Sequence, residues 1–164
     1  MNKINFLFVT LFGIGKLKKI PGSYASLVTT IFLFFLFHVV GLSPNFALIG
    51  VIIIFLISLY AINIFVKNLD NKDPKEVVID EFIGQSIPIC LYEIAHEGTK
   101  ETSQVLTIYF IMFILFRIFD IAKPYPVGYY DKNFKNSFGI VMDDVCAGLY
   151  VVAVLVLYMV ITSW

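Results

Sequence analysis

The sequence predicts an all-α integral membrane protein: one helical bundle occupying residues 1–164, with about four spanning segments and an N-terminal interfacial segment. Three observations predict it. Charged residues make up 15% of the chain, against about a quarter in soluble domains, which is too few to cover a water-facing surface. The mean hydropathy is +0.88. No charged residue occurs between Lys19 and Lys67, a run longer than one membrane crossing needs. A chain of 164 residues suits a single domain, and a formal net charge of zero leaves no electrostatic footprint for nucleic acid.

The elements follow in order. Residues 4–14 are apolar, but the basic cluster Lys16, Lys18 and Lys19 comes after them and no small-residue cleavage site is present, so a cleaved signal peptide fits badly. Residues 4–19 are expected to lie in the interface, with their lysines among lipid headgroups. The uncharged run is broken by Gly41-Leu-Ser-Pro-Asn45 and divides into helices near 24–42 and 46–66. Ser43 followed by Pro44 reads as an N-cap with proline at the first helical position. Residues 77–92 form a third, shorter apolar segment carrying Asp80 and Glu81 near its start. Residues 93–103 read as a polar loop, and 105–122 as the next span, closed by Pro124. Residues 145–164 are the last span, ending on Trp164, a residue suited to the interface. Cys90 and Cys146 have no metal-type or redox spacing and are expected to be buried, reduced thiols.

Charge then orients the bundle. Lys3, Lys16, Lys18, Lys19, Lys67, Lys72, Lys75, Arg117, Lys123, Lys132 and Lys135 all fall on one side of the predicted spans, and only Lys100 falls on the other. The positive side is the cytoplasmic one.

That same side collects the acids. In Asp73-Pro-Lys-Glu76 the pattern reads as a capping box, with aspartate at the cap and Glu76 reaching back. A helix starting there places Asp80 and Glu81 about two turns in, where capping does not explain them. Carboxylates near a membrane require water, a partner or a metal. Asp80 precedes Gly84 by four residues, and Asp144, at the expected start of the last helix, precedes Gly148 by four. Each glycine leaves room for a close helix crossing, so two helices can hold Asp80, Glu81, Asp143 and Asp144 around one point. The blander reading makes Asp143 or Asp144 an N-cap.

Arg117, the only arginine, shares a helix face with Asp120 and Lys123. This is either an ion-paired row at a helix C-terminus or a phosphate clamp built on one fork-shaped donor, and both readings stand. Four acids with no histidine nearby suit a hard, oxygen-ligated ion, most simply Mg²⁺. His38 and His96 lie toward the outer side and read as incidental. Gly13-Ile-Gly15 and the Pro21-Gly-Ser-Tyr-Ala-Ser26 stretch could offer backbone amides to an anion, with Ser23 and Ser26 as substrate-binding candidates.

Four motifs occur in order: Pro21-Gly-Ser-Tyr-Ala-Ser-Leu27, Asp73-Pro-Lys-Glu-Val-Val-Ile-Asp-Glu-Phe-Ile-Gly84, Phe116-Arg-Ile-Phe-Asp-Ile-Ala-Lys-Pro-Tyr-Pro126 and Asp143-Asp-Val-Cys-Ala-Gly148. Together they resemble the phosphatidylglycerophosphatase A family. Its N-terminal pattern usually reads Pro-Gly-Thr-x-Gly-Ser; here Ser23 keeps a hydroxyl and Ala25 stands for glycine. The resemblance implies an all-helical enzyme of bacterial lipid synthesis that removes the terminal phosphate of phosphatidylglycerophosphate with Mg²⁺. It also implies essential acids at the Asp80/Glu81, Asp120 and Asp143/Asp144 positions. The expected roles are Asp80, Glu81, Asp143 and Asp144 on one or two Mg²⁺ ions, Arg117 and Lys123 on the phosphoryl group, and Asp120 as a base or as the orienter of Arg117. The expected setting is the inner membrane, with an anionic phospholipid as substrate. A Mg²⁺-dependent head-group transferase and a small ion transporter are the alternatives. Transport calls for acids spread through membrane depth, whereas these gather at one interface.

Overall fold

The computed structural model describes residues 3–67, 74–96 and 101–162. Lys72, Asp73, Lys100 and Trp164, each given a place above, lie outside them. The described residues form seven α-helices and no strand: α1 (Lys3–Val9), α2 (Pro21–His38), α3 (Pro44–Val66), α4 (Ile79–His96), α5 (Thr102–Ala122), α6 (Val127–Asn133) and α7 (Ser137–Thr162). Four of these, α2, α3, α5 and α7, are long and apolar enough to cross a membrane. Their outer faces carry large bare hydrophobics such as Ile31, Ile52, Phe110 and Leu157, the surface that lipid rather than water would cover.

The fifth long helix, α4, is the axis of the bundle and packs against α2, α3, α5 and α7. Its polar residues explain why it is central: Asp80, Gln85, Ser86 and Glu93 are all buried, and inside a membrane such groups belong in the protein interior. Ile83, Ile89 and Cys90 fill the spaces between them. Both ends of α4 are tied to the same two neighbours. At one end Glu81 accepts from Ser26 of α2 and from Arg117 of α5. At the other, Glu93 lies 3.2 Å from His38 of α2 and accepts from the Tyr109 hydroxyl of α5 at 2.8 Å. So α4 runs the length of the bundle, and Glu93, expected in a loop, is a helical residue at 5% exposure. His38, expected to be incidental, is its partner.

The central packing contact is the crossing of α4 over α7. A Cβ on Gly84 would sit 2.6 Å from the Asp144 carbonyl oxygen, and one on Gly148 would collide with the Gly84 carbonyl oxygen. That Gly84 carbonyl has lost its usual helical donor, because residue 88, four positions on, is the proline inside α4. The α7 backbone closes over it, a contact only glycine allows.

The first predicted span, near 24–42, is shifted to Pro21–His38, and three further expectations are corrected. α4 begins at Ile79, and Glu76 lies in a turn closed by Val77 N–H to Pro74 carbonyl at 3.0 Å, so no helix starts at residue 74. The turn wins because Val78 donates to the Val9 carbonyl, pinning this strand of chain to the N-terminal segment. α7 begins at Ser137, not near 145: Asn136 Oδ1 caps the Gly139 amide at 3.0 Å, so Asp143 and Asp144 lie well inside the helix and cap nothing. Residues 4–19 pack on the bundle rather than only resting on lipid. Asn5 donates to the Ala61 carbonyl at 3.1 Å, Phe6 meets Phe65, and Gly15 lies directly against the Glu76 carbonyl. Lys16, Lys18 and Lys19 remain exposed. Both cysteines are free and buried.

Candidate active site

α2, α4 and α7 begin, and α3 and α5 end, at one end of the bundle. A cavity of about 510 Å³ opens there, lined by Lys18, Gly22, Ser23, Asp80, Glu81, Arg117, Asp120, Lys123, Asp143 and Asp144 among others. Every predicted site residue except Ser26 lines it.

Its centre is a group of three carboxylates from three helices. Glu81 of α4, Asp120 of α5 and Asp144 of α7 each offer an oxygen, and these oxygens lie within 4.8 Å of one another. Like charges so close repel unless countered. Arg117 supplies the counter-charge as a fork, with Nη1 2.6 Å from Glu81 Oε2 and Nη2 3.0 Å from Asp120 Oδ2. Of the predicted row, Arg117 and Asp120 do pair, whereas Lys123 turns to Asp131 and Asp143 instead, and the guanidinium lines the cavity.

The start of α2 shapes the other wall. Ser26, fully buried, has two acceptors for its single hydroxyl proton, Glu81 Oε2 and the Gly22 carbonyl, each at 2.9 Å. It holds Glu81 rather than facing the cavity, whereas Ser23 lines it. Ala25, where the family pattern has glycine, is fully buried without needing backbone freedom there. α2 starts at Pro21 with no side-chain cap, so the first-turn amides of Gly22 and Ser23 have no intrahelical acceptor. Gly22 has a second duty, since a Cβ there would overlap Glu81 Oε1. Gly22→Ala is expected to push the Glu81 carboxylate off its position and reduce turnover roughly 10–100-fold. Thermal stability should change little, because the obstructing atom ends a side chain rather than a backbone. Parallel activity and melting measurements check this.

Lys123 forms the third wall. It is the left-handed C-cap of α5, with φ 46°, a conformation unfavourable for a residue with a Cβ. Two carboxylates hold it there: Asp131 at 2.6 Å and Asp143 at 3.1 Å. Burial lowers the ammonium's pKa, but the hydrogen bonds and charges of Asp131 and Asp143 outweigh that and hold it above the ordinary lysine value. Lys123 is therefore a permanent cation at the cavity rim.

The acids thus divide differently from the fourfold arrangement read from sequence. Glu81 and Asp144 converge with Asp120, which the sequence marked for another role. Asp143 is engaged by Lys123. Asp80 lines the same cavity, and from the first turn of α4 its Oδ1 accepts the Glu81 amide at 3.0 Å. Asp131 went unnoticed, since nothing in Tyr-Asp-Lys marks it as a partner of Lys123. The three-residue spacing of Arg117 and Asp120 was the available signal for Asp120.

Fold and site together define an integral-membrane helical bundle that gathers carboxylates, one guanidinium and one ammonium around a cavity at a single end. The family model of phosphatidylglycerophosphatase A matches residues 7–159. The chain belongs to the phosphatidylglycerophosphatase A family and is a phosphatase. It is 34% identical over 154 residues to the phosphatidylglycerophosphatase A of Haemophilus influenzae, covering 94% of this chain and 87% of that protein. It is 29% identical over 154 residues to the Escherichia coli phosphatidylglycerophosphatase A, covering 93% and 81%. A Bacteroides thetaiotaomicron relative described as a putative phosphatidylinositol-3-phosphatase is 33% identical over 156 residues, covering 92% of each chain. No solved structure matches.

Proposed function

We propose that the protein is a Mg²⁺-dependent lipid phosphatase that hydrolyses phosphatidylglycerophosphate to phosphatidylglycerol and phosphate. It works at the cytoplasmic face of a bacterial inner membrane. The observation that carries the reading is the Glu81–Asp120–Asp144 group bridged by Arg117 at the lysine-rich end of the bundle. Three oxygen donors without histidine or cysteine suit Mg²⁺. Glu81, Asp120 and Asp144 would hold it, with Asp80 and Asp143 close by in the same cavity. When bound, the ion supplies positive charge to phosphate oxygens and acidifies a coordinated water.

The chain's own groups do the rest. Arg117 and Lys123 face a phosphate with two cations, stabilising the charge spread over its oxygens during transfer. The first-turn amides of Gly22 and Ser23, with the Ser23 hydroxyl, offer donors at the positive end of α2. Asp120 orients the guanidinium through Nη2. Ser26 holds Glu81 in place. The basic rim, including Lys18, favours an anionic lipid whose phosphate lies at headgroup depth.

The Bacteroides relative favours a second reading of substrate, a phosphorylated inositol lipid, using the same groups on the same bond type. Inorganic phosphate released from each lipid by detergent-purified protein, with Mg²⁺ and with a chelator, tests both. Release from phosphatidylglycerophosphate is expected with Mg²⁺, falling to background with chelator and returning when Mg²⁺ is restored. Faster release from the inositol lipid would reassign the substrate. If folded protein released no phosphate from either lipid, a head-group transferase or an ion transporter would take its place.

A further inference from the structure

We propose that the seam between α2 and α5 is the groove for one acyl chain of the substrate lipid, a proposal that rests on the lipid-phosphatase reading. α2 and α5 are each bound to α4 at two levels, through Ser26–Glu81–Arg117 above and His38–Glu93–Tyr109 below. Between these ties they part and leave an apolar groove of about 220 Å³, with Leu27, Ile31 and Phe34 on one wall and Leu106, Phe110 and Phe113 on the other. Its rims face lipid, with Ile31 61% and Phe110 62% exposed. The two polar residues on its floor are satisfied elsewhere: the Thr30 hydroxyl donates to the Ser26 carbonyl at 2.9 Å and the Tyr109 hydroxyl to Glu93. The floor therefore offers a hydrocarbon chain no unpaired donor.

Two facts identify the occupant. The groove starts where the site ends: Leu27 follows Ser26, and Phe113 lies one turn from Arg117 on α5. A chain lying in the groove therefore carries its headgroup to the Arg117–Glu81 pair. The length also fits: the lining from Leu27 to Phe34 on α2 and from Leu106 to Phe113 on α5 rises ~10 Å on each wall, about two thirds of the ~15 Å of one hydrocarbon leaflet. The cleft between α2 and α3 is larger, about 450 Å³, but Phe8, Leu11, Phe12 and Ile14 of the N-terminal segment occupy part of its wall, and neither Arg117 nor any acid lines it. In a bilayer, apolar contact adds little affinity, so the groove acts by aligning the chain and its phosphate.

Filling the lower groove tests this. Leu106→Trp obstructs the part only a long chain reaches, and Ile54→Trp adds equal bulk to the α2–α3 cleft. For the full-length protein, Leu106→Trp is expected to lower kcat/KM for dipalmitoyl substrate roughly tenfold, while dihexanoyl substrate is hydrolysed at the wild-type rate, which also verifies folding. Ile54→Trp should spare both. Equal loss on both substrates, or a chain-length-selective loss with Ile54→Trp, overturns the proposal. Crosslinking with a phosphorylated lipid carrying a mid-chain diazirine separates this inference from the enzymatic one. Adducts on Phe34, Leu106 or Phe110 support the groove even if no phosphate is released, and adducts confined to the α2–α3 cleft refute it.

Discussion

Asparagine at Asp144 is expected to reduce phosphate release at least roughly a thousandfold while the protein still inserts in the membrane and purifies folded. The argument is electrostatic. Asp144 is 4% exposed, comes from the helix opposite Glu81, and makes no ion pair among the described residues, whereas Glu81 and Asp120 are both engaged by Arg117. It is therefore the member of the trio whose charge is least compensated within the protein and most available to a cation. Asparagine keeps its shape and removes that charge, which a transition state dependent on fixed charges in a dry site cannot replace. The same change relieves repulsion from Glu81 and Asp120, so without Mg²⁺ the variant should melt at or above the wild-type temperature. Wild-type protein should be stabilised by Mg²⁺ and the variant far less, since a ligand stabilises by what it binds. Activity near wild type, or an unchanged Mg²⁺ shift, would remove Asp144 from the centre.

A methyl group at Gly148 is the second large effect. Gly148→Ala places a carbon against the Gly84 carbonyl, a backbone atom that cannot rotate away, at the principal helix crossing. Overpacking of this kind costs about 1–3 kcal/mol, which in a chain of this size lowers Tm by roughly 2–12 °C. Because Asp144 is one turn away on the same helix, activity should fall with stability. Gly50 is the control: a Cβ there meets nothing within 4 Å, and alanine in a helix is about 1 kcal/mol better than glycine, so Gly50→Ala should hold or raise the melting temperature. If both variants behaved alike in a detergent melting series, the α4–α7 crossing would not be the tight contact described.

The long apolar helices were legible because membrane solvent imposes a plain rule: the 105–122 run became Thr102–Ala122, and Pro44 opened its helix as expected. α7 was cut short in the sequence reading because Asp143-Asp144 interrupts the apolar run, although Ile140 and Val141 before it are core residues. Hydropathy cannot register acids buried by convergence with other helices. The start of α4 was misplaced because Asp73-Pro-Lys-Glu76 satisfies a local capping pattern, while the turn actually formed depends on Val9, far away in sequence. For the same reason the candidate site was visible as a set of acids near glycines, but not as the trio that meets. Which carboxylates share a point depends on helix rotation, and that is decided by tertiary packing. Glu93, His38 and Tyr109 share no local pattern and had no signal at all.

The paired ties at the two ends of α4 also have a mechanical consequence. Three helices joined at two levels form a braced frame: sliding α4 along α2 or α5 would break a charged or buried hydrogen bond at both ends at once. Shear within α2, α4 and α5 is thereby opposed at both ends, which favours a fixed height of the Glu81 carboxylate relative to Arg117. Motions that admit a lipid and release its product must come from parts outside the frame. The N-terminal segment and the short α6 beside Lys123 lie outside the frame, so movement of either leaves both ties intact. Site-directed spin labels should then report constant distances within the frame and broader distributions between it and α6.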